Sequence, residues 1–360
     1  MASSQEVENT FKRVRQSIEE VGEGTVAAEN EQQDTSKMIP RCVVARPTVV
    51  PDLTGKRMLK LMCKCSKVPL QQMFNTLTRL KQGWNVNGLK SVVEKHNKDF
   101  VGTIMKESPD ILFLQETKLQ AGMTDKYAKM IEHYSQAHFA CSTGKKGYSG
   151  TAVFAKKDIR ILSTAVGLGE FLSDDEGRTI TLELEHFYFV GMYVANAGQG
   201  LVRLKYRIDT YDTAVRSYLE SLSKKKPVIL GGDLNVAHRD LDVYNFDAPH
   251  IKKQAGCTKE ERESFTLLLN SQNRVDSFRA LYPESRVFSF WSTRAGNRPL
   301  NRGLRLDYFV VPKDMIATSS AENVDGNQSK VRLFDSYILD DAAEKISDHA
   351  PICCQVIVPN

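Results

Sequence analysis

Acidic and amide side chains follow several apolar runs of this sequence. The clearest run is Val228-Ile229-Leu230, which two glycines separate from Asp233 and Asn235. Because side chains alternate in direction along a strand, Asp233 and Asn235 can point the same way from its end. A carboxylate can bind a cation or accept a proton, and a carboxamide can donate to an anionic oxygen. A turn capped by an Asx side chain is the alternative interpretation of this pattern.

Polar residues of the same kind end other predicted strands. They are Asn85, Asn87, Glu116, Tyr193, Asn196, Asp307, Asp348 and His349. In a sandwich of two sheets, such strand ends can meet at one rim. Carboxylates, amides, a tyrosine and a histidine gathered there could hydrolyse a phosphodiester. Taken singly, some have structural interpretations: His349 as a satisfied turn residue, Asp307 as an ion-pair partner and Tyr193 as a core tyrosine.

The oxygen-bearing residues fit a metal site. A hard divalent cation requires oxygen ligands, which Glu116, Asp348 and Asn87 supply. Such a cation would neutralise the phosphate and the leaving oxygen. The sequence therefore predicts a metal-dependent reaction.

The remaining polar residues fit proton transfer and phosphate binding. Asp233 can orient or deprotonate the attacking water. Asn235, Tyr193 and His349 can donate hydrogen bonds to the phosphate oxygens as charge builds up. Asp307 can fix the tautomer and the angle of the His349 ring.

The elements that must position these residues alternate between strands and helices. Strands are predicted at 80–86, within 109–118, and at 151–154, 180–185, 187–194, 227–230, 305–311 and 351–358, and helices at 92–106, 201–222 and 259–270. The many short strands favour an α/β (α+β) fold in which two mixed sheets pack face to face with helices outside.

The first part of the chain lacks this periodicity. Residues 1–76 are interpreted as a mostly disordered tail with a basic segment at 55–67, and residues 77–360 as the catalytic domain. The basic segment could contact nucleic acid, act in targeting or form a solvated linker.

Composition excludes some classes of protein. The net charge of +5 is only a mild bias toward anionic partners. The seven cysteines show no paired zinc spacing, and their odd number favours reduced thiols in an intracellular compartment. No apolar run is long enough to span a membrane.

A series of motifs then resembles a known family. The motifs are Trp84-Asn85-Val86-Asn87-Gly88, Leu114-Gln115-Glu116-Thr117-Lys118, Gly147-Tyr148-Ser149-Gly150, Asn196-Ala197-Gly198, Gly232-Asp233-Leu234-Asn235, Asn301-Arg302-Gly303-Leu304-Arg305-Leu306-Asp307 and Ser347-Asp348-His349. In order and approximate spacing, over residues 78–358, they are similar to those of the exonuclease III class of apurinic/apyrimidinic (AP) endonucleases.

This resemblance implies a four-layered, deoxyribonuclease I-like α/β sandwich of the endonuclease/exonuclease/phosphatase superfamily. It implies Mg²⁺-dependent incision, with Mn²⁺ as a substitute, on the 5′ side of abasic sites in duplex DNA. The expected additional activities are 3′-phosphodiesterase and 3′-phosphatase at blocked 3′ ends, and a 3′→5′ exonuclease. A monomer acting in the nucleus is expected, with no membrane partner.

The resemblance also assigns roles to residues. The catalytic group would be Asp233, Asn235, Tyr193, Asp307, His349 and Asn85. The metal ligands would be Glu116, Asn87, Asp348, Asp233 and Asn235, with Glu116 the principal one. The DNA contacts would be Asn196, Tyr148, Lys90, Phe290, Trp291 and Leu304, with Phe290 and Leu304 walling a pocket for the flipped abasic sugar. Two positions depart from some members of the family, which have Trp at Leu304 and a basic residue at Gln199.

Two other functions compete with this interpretation. A phosphatase of the same superfamily, acting on inositol phosphates or lipids, would carry a different motif around Asp307. A regulatory protein would instead use a thiol of the tail, Cys42, Cys63 or Cys65. Only neighbouring lysines favour a reactive thiol there.

Overall fold

The computed structural model describes residues 56–60, 82–131, 133–316, 331–340 and 346–359. The strands are β1 (Lys56–Lys60), β2 (Gln82–Asn85), β3 (Ile111–Gln115), β4 (Gln136–Ala140), β5 (Thr151–Ala155), β6 (Ser163–Val166), β7 (Thr179–Glu183), β8 (Tyr188–Tyr193), β9 (Val228–Asp233), β10 (Arg274–Asp276), β11 (Asp307–Pro312), β12 (Arg332–Ile338) and β13 (Ile352–Pro359). The α-helices are α1 (Leu89–Glu107), α2 (Thr124–Ala128), α3 (Asp212–Ser223), α4 (Lys259–Asn270) and α5 (Ser277–Leu281).

The described strands form two mixed sheets. A seven-stranded sheet has the order β1-β13-β2-β3-β5-β4, with β12 also paired to β13, and a six-stranded sheet has the order β10-β11-β9-β8-β7-β6. Each sheet contains one parallel pair, β2 with β3 and β8 with β9. The two sheets therefore resemble each other in having a parallel pair of strands next to antiparallel ones.

An apolar layer fills the space between the sheets. Phe113 of β3 packs edge-on against Phe189 of β8, with ring centroids 6.0 Å apart. Outside the seven-stranded sheet, α1 buries Phe100 and Ile104 against β2 and β3. Outside the other sheet, α3 contributes Leu219 to a second apolar cluster. These layers confirm the predicted four-layered α/β sandwich.

The strongest apolar patterns gave the right elements, and weaker ones were missed. The strand predicted at 227–230 is β9, and the helix predicted at 259–270 is α4. A capping box of Thr258 and Glu261 forms the start of α4. Sequence reasoning missed β4, β6, β10 and β12. All four residues of β6 are exposed, so no buried face produced an alternating pattern.

The predicted helix at 201–222 is not α-helical throughout. Gln199–Leu201 forms a 3₁₀ turn, Tyr206–Tyr211 is π-helical, and α3 begins at Asp212. Hydropathy periodicity cannot distinguish a π-helical turn from an α-helical one over so few residues.

The predicted boundary at residue 77 needs a correction. Strand β1 lies inside the predicted tail, yet it pairs antiparallel with β13, from Lys56 opposite Pro359 to Lys60 opposite Gln355. The other residues assigned to the tail, 1–55 and 61–76, lie outside the described part of the chain. None of the α-helices in the described ranges combines the length and the apolar composition that a membrane span requires.

Candidate active site

Strand ends from both sheets meet at one rim of the sandwich. In the seven-stranded sheet, Asn85 ends β2 opposite Gln115 of β3, and Glu116 follows β3 directly. In the six-stranded sheet, Asp233 ends β9 and lies opposite both Tyr193 of β8 and Asp307 of β11. The site therefore exists only when the two sheets are packed together.

Asn85 connects the two halves of the site. Its side-chain amide donates to Glu116 Oε1 and to Asp233 Oδ2, both at 3.0 Å. Its own oxygen accepts from the backbone N–H of Asn87 at 3.0 Å. Because Asn85 is fully buried and both its amide and its oxygen are engaged, its orientation is fixed.

Glu116 is held as a carboxylate. The Tyr193 hydroxyl donates to its Oε1 at 2.8 Å, and Lys118 Nζ lies 3.0 Å from its Oε2. Burial alone would raise the pKa of Glu116, but Lys118, Asn85 and Tyr193 together hold it below its ordinary value. Glu116 is therefore ionised at neutral pH and offers a charged oxygen to a cation.

Asn87 and Asp348 are linked to this carboxylate through Lys118. The Asn87 amide donates to Asp348 Oδ1 at 3.2 Å, and Lys118 Nζ donates to Asn87 Oδ1 at 2.5 Å. One ammonium group thus contacts both Glu116 and Asn87, which shows that these oxygens can hold a positive charge. Asn87 is exposed, so a cation can reach this side of the site.

Asp233, Asp307 and His349 form a second, buried group. His349 Nδ1 lies 2.9 Å from Asp307 Oδ2, and His349 Nε2 lies 3.8 Å from Asp233 Oδ2. Ser289 Oγ donates to Asp307 Oδ2 at 2.6 Å. Asp307 therefore fixes the ring, and the other ring nitrogen faces Asp233.

The charges of this group depend on one another. Burial, together with the Asp307 carboxylate, raises the pKa of Asp233 to about 7. Burial would lower the pKa of His349, but Asp307 and Asp233 raise it to about 10. Burial and the carboxylates of Glu116 and Asp233 raise the pKa of Tyr193, which keeps it a neutral hydrogen-bond donor.

Asp233, Asp307 and His349 also offer atoms that could hold a metal, all within 4.8 Å of one another. A protonated imidazole cannot bind a metal, and the raised pKa of His349 favours that form. The oxygen set around Glu116 suits a hard cation better, since it contains no nitrogen donor.

Asn235 follows Asp233 in a left-handed conformation, with φ of 50°. Its backbone N–H donates to Asp233 Oδ1 at 2.9 Å, and its side-chain amide donates to the Val194 carbonyl at 2.9 Å. Its Oδ1 accepts from the Asn196 amide at 2.8 Å. This carboxamide is oriented by protein contacts alone, and it lies with Asp233 rather than with Glu116, Asn87 and Asp348.

The predicted pocket residues lie next to His349. The ring of Phe290 is 4.8 Å from the His349 ring, and Phe290 forms β-bridges with both Leu304 and His349. Trp291 is buried behind them, and its indole N–H donates to Asn301 Oδ1 at 3.1 Å. The structure thus brings together the three predicted pocket residues.

Two predicted DNA contacts lie further out. Lys90 is exposed at the start of α1, where its Nζ lies 3.9 Å from Glu94 Oε1. The Tyr148 hydroxyl accepts from Arg178 at 3.0 Å and from Arg203 at 3.1 Å. Neither Lys90 nor Tyr148 forms a hydrogen bond within the buried group.

Sequence reasoning missed residues that support the site. Lys118 belongs to a motif that assigns it no role, and Ser289 directly precedes Phe290 without a motif of its own. Arg178 lies over the Tyr193 ring, 4.6 Å from its centroid, and donates to the Tyr193 carbonyl at 3.1 Å. The sequence around Arg178 did not indicate this role, because a single arginine at the start of a strand is common on protein surfaces.

Comparison with known proteins identifies the family. The model of the endonuclease/exonuclease/phosphatase family matches residues 83–349. The chain belongs to this family. The matched range contains every residue of the two groups described above.

Two relatives are nucleases by name. The chain is 44% identical to an exodeoxyribonuclease of Bacillus subtilis (strain 168) over 233 residues, which cover 64% of this chain and 87% of that protein. It is 43% identical to the DNA repair nuclease APEX1 of Danio rerio over 234 residues, 65% of this chain and 73% of that protein.

A solved structure supports the same conclusion. The AP endonuclease LMAP from Leishmania major is similar with a TM-score of 0.68 and 30% identity, over 93% of this chain and 96% of that one. Together with the sequence relatives, it places the chain in the exonuclease III class of the family, which confirms the resemblance of the motif series.

Proposed function

We propose that this chain is a DNA repair nuclease that hydrolyses the phosphodiester on the 5′ side of an abasic site in duplex DNA. The observation that carries the proposal is the bridge that Asn85 makes between the ionised Glu116 and the protonatable Asp233, next to the His349 pocket. The names of the relatives, which include DNA repair and AP-site nucleases, support the same substrate.

Asp233 is proposed to act on the attacking water. A general base works best when its pKa lies near the working pH, and the pKa of Asp233 is raised to about 7. Its carboxylate is oriented from both sides, by Asn85 and by the backbone N–H of Asn235. Asp233 can therefore accept a proton without reorienting.

The phosphate is proposed to bind between Tyr193, Asn235, His349 and Asn196. The Tyr193 hydroxyl and the His349 ring are donors in their favoured protonation states. Preorganised donors of this kind stabilise charge as it develops on the phosphate oxygens. Asp307 acts through His349 by holding its ring.

The metal is proposed to be Mg²⁺, with Mn²⁺ as a substitute. The family depends on a metal ion. The oxygens of Glu116, Asn87 and Asp348 would hold it: those of Glu116 and Asn87 already contact the ammonium group of Lys118, and Asp348 accepts a hydrogen bond from the Asn87 amide. A bound Mg²⁺ supplies positive charge that stabilises the phosphate and the leaving oxygen. Asp233 and Asn235, also predicted as ligands, are assigned to the proton and phosphate side.

Substrate selection is proposed to come from the pocket of Phe290, Leu304 and Trp291. A sugar without a base can enter a small apolar pocket that a complete nucleotide cannot. Tyr148, Lys90 and Asn196 would contact the DNA backbone. We further propose a monomer acting in the nucleus, with 3′-phosphodiesterase, 3′-phosphatase and 3′→5′ exonuclease activities at the same centre.

A 5′-labelled duplex with one tetrahydrofuran abasic analogue tests this function. In Mg²⁺ we expect a single cut directly 5′ to the analogue, no cut in the matched intact duplex, and no product in excess EDTA. Asp233→Asn should lower the rate roughly 10²–10⁴-fold with unchanged DNA affinity, because the shape is kept and only the base is lost. The exposed Asp209→Asn is the matched control.

Other outcomes would contradict the proposal. Equal cutting of the intact duplex would refute recognition of abasic sites. Faster release of phosphate from inositol phosphates than cutting of DNA would favour the superfamily phosphatases. Full activity in EDTA would refute the proposed requirement for a metal ion.

A further inference from the structure

The turn at the end of β9 carries the catalytic carboxylate and amide, and we call residues 233–235 the catalytic turn. The backbone of Asn235 has a φ of 50°, a left-handed conformation that residues other than glycine adopt infrequently. Such a conformation costs free energy and persists only when surrounding contacts determine it. Asp233 and the Asn235 carboxamide face the site, so the contacts that hold the turn from behind are decisive.

One side chain reaches the turn from behind. Arg207, only 2% exposed, comes from the π-helical segment Tyr206–Tyr211 that precedes α3. Its guanidinium donates to the carbonyl of Asn235 at 2.6 Å and to the carbonyl of Leu234 at 2.8 Å. These two carbonyls belong to consecutive peptides of the catalytic turn, so one planar group fixes both.

The buried charge of Arg207 is balanced. Glu261 of α4 is fully buried, and its Oε1 lies 3.4 Å from Arg207 Nη1. The other oxygen of Glu261 accepts from the N–H of Gly256 at 2.7 Å and from the hydroxyl of Thr258 at 2.7 Å. Asp212, the first residue of α3, lies 3.7 Å from Arg207 Nε.

The π-helical turn explains how Arg207 reaches this position. A π-helical turn changes the direction of its side chains relative to the following α-helix, and such turns are frequent at functional sites. It brings Arg207 under β9 while α3 still packs its own apolar face on the sheet.

We propose that Arg207 is a positioning residue for the nuclease reaction, which holds Asn235 in its left-handed conformation and thereby sets the angle of the Asn235 carboxamide. Glu261 supports it by balancing its charge. Arg207 is buried behind the turn, so it contributes to the rate and not to DNA affinity. The kinetic part of this inference rests on the proposed function, whereas the structural part does not.

Arg207→Met tests the proposal, with Arg216→Met as the matched control. Arg216 also links α3 to α4, but its guanidinium donates to Ser264 Oγ at 3.2 Å and to Thr213 Oγ1 at 2.9 Å, which lie outside the catalytic turn. We expect Arg207→Met to lower kcat on the order of 10–100-fold with KM and DNA affinity unchanged, since a small misplacement of reacting groups has effects of this size. Arg216→Met should keep the parental kcat.

A double-mutant cycle separates positioning from general damage. If Arg207 acts through Asn235, then Arg207→Met should have little further effect on kcat in an Asn235→Ala protein. A structural defect would instead lower kcat by the same factor in both backgrounds. Arg207→Lys keeps the charge next to Glu261 with fewer donors, so it should recover part of the rate and serves if Arg207→Met does not fold.

Hydrogen exchange measured by mass spectrometry gives a readout that needs no substrate. The peptide that spans residues 231–238 should exchange on the order of tenfold faster in Arg207→Met or Arg207→Lys than in Arg216→Met. Unchanged exchange there, or additive kinetic effects in the cycle, would overturn the positioning role. A parental protein that does not cut abasic DNA would refute the proposed function, and the exchange result would still decide the role of Arg207.

Discussion

His349 lies between two carboxylates, and this position determines the charges within the buried group of Asp233, Asp307 and His349. Asp307 binds one ring nitrogen at 2.9 Å, and Asp233 lies 3.8 Å from the other. The imidazolium in turn favours the ionised form of Asp233, while burial opposes it. Groups that interact this closely titrate as a unit, so pH dependence belongs to the group and not to one residue.

The first prediction concerns pH. Parental kcat/KM should rise as Asp233 loses its proton near pH 7 and then stay level, because His349 keeps its proton up to about pH 10. Asp307→Asn removes a carboxylate that raises both pKa values. In this variant, the rise of kcat/KM with deprotonation of Asp233 and its fall with deprotonation of His349 should therefore both move to lower pH. The variant should lose activity at alkaline pH values at which the parental kcat/KM is level.

The measurement is kcat/KM on the abasic duplex at saturating Mg²⁺ from about pH 5 to about pH 9.5. Ser289→Ala is the control, because it removes a hydrogen bond to Asp307 and keeps the carboxylate. An alkaline side that stays level in Asp307→Asn would show that Asp307 does not set the pKa of His349.

Residue types predicted much of the site, because charged and amide groups at strand ends need partners. Asn85, Glu116, Asp233, Asp307 and His349 were all predicted, and the structure brings them within hydrogen-bonding or ion-pair distance of one another. Their supports were not predictable. Which arginine lies behind a turn depends on helix geometry, and the spacing of residues does not encode it.

At the scale of elements, glycines in the six-stranded sheet allow close contacts with the facing sheet and with the neighbouring strand. A Cβ on Gly191 of β8 would lie 2.5 Å from the ring of Phe113 in the facing sheet. A Cβ on Gly232 of β9 would lie 2.1 Å from the Met192 carbonyl, and Gly232 has a φ of 137°. The strands that carry Tyr193 and Asp233 thus contain positions where only glycine fits.

Gly191→Ala should therefore destabilise the protein. The added methyl group would force the Phe113 ring out of its place between the sheets, and overpacking of this kind costs about 1–3 kcal/mol. Gly102→Ala in α1 is the control, since a Cβ there meets nothing within 4 Å. Alanine in that helix should stabilise by about 0.5–1 kcal/mol.

Urea unfolding followed by circular dichroism measures both free energies of unfolding. Equal midpoints for Gly191→Ala and the parent would mean that the sheets can separate slightly at no cost. A loss of stability in Gly102→Ala would show that the effect is not specific to the layer between the sheets.

Apolar patterning predicted the central strands and the long helices, because those elements bury one or both faces. The edge strand β6 and the three-residue strand β10 carry no such pattern. They form because a neighbouring strand offers a free edge, and that is a property of the assembled sheet. The glycines before Asp233 were recognised as a tight turn, whereas the role of Gly191 depends on a ring from the other sheet.

At the scale of the molecule, the site divides between the two sheets. The seven-stranded sheet provides Asn85 and Glu116, and the six-stranded sheet provides Tyr193, Asp233 and Asp307. The segment that ends in His349 joins them, since the Ser347 hydroxyl donates to the Asn85 carbonyl at 2.7 Å. Catalytic geometry and packing of the sheets are therefore one property, which explains why distant stretches of sequence must all be present.

Strand β1 is the exception to this dependence. It pairs only along the second half of β13, from Gln355 to Pro359, whereas β2 pairs with Ile352 and Cys353 of the same strand. A pairing across so long a sequence separation could not be predicted from a short basic and apolar segment. None of the residues of the candidate site belongs to β1.

Deletion of the N-terminal region should therefore separate stability from activity. A protein lacking residues 1–70 has no β1, so the stretch of β13 from Gln355 to Pro359 loses one of its partner strands. Its free energy of unfolding should therefore fall by about 1–3 kcal/mol, the net of several hydrogen bonds and the ordering of the strand. A protein lacking residues 1–54 keeps β1 and should match the parent. Both should cut the abasic duplex within a few-fold of the parental rate at a temperature well below unfolding.

If the basic residues of 55–67 bind phosphates, the longer deletion should also flatten the dependence of log K on log salt by about one unit for each phosphate that the shortened protein no longer neutralises. A folded protein without residues 1–70 that cuts at no salt concentration would place the start of the catalytic domain within the deleted region, and equal urea midpoints for the two deletions would show that β1 adds nothing to the sheet.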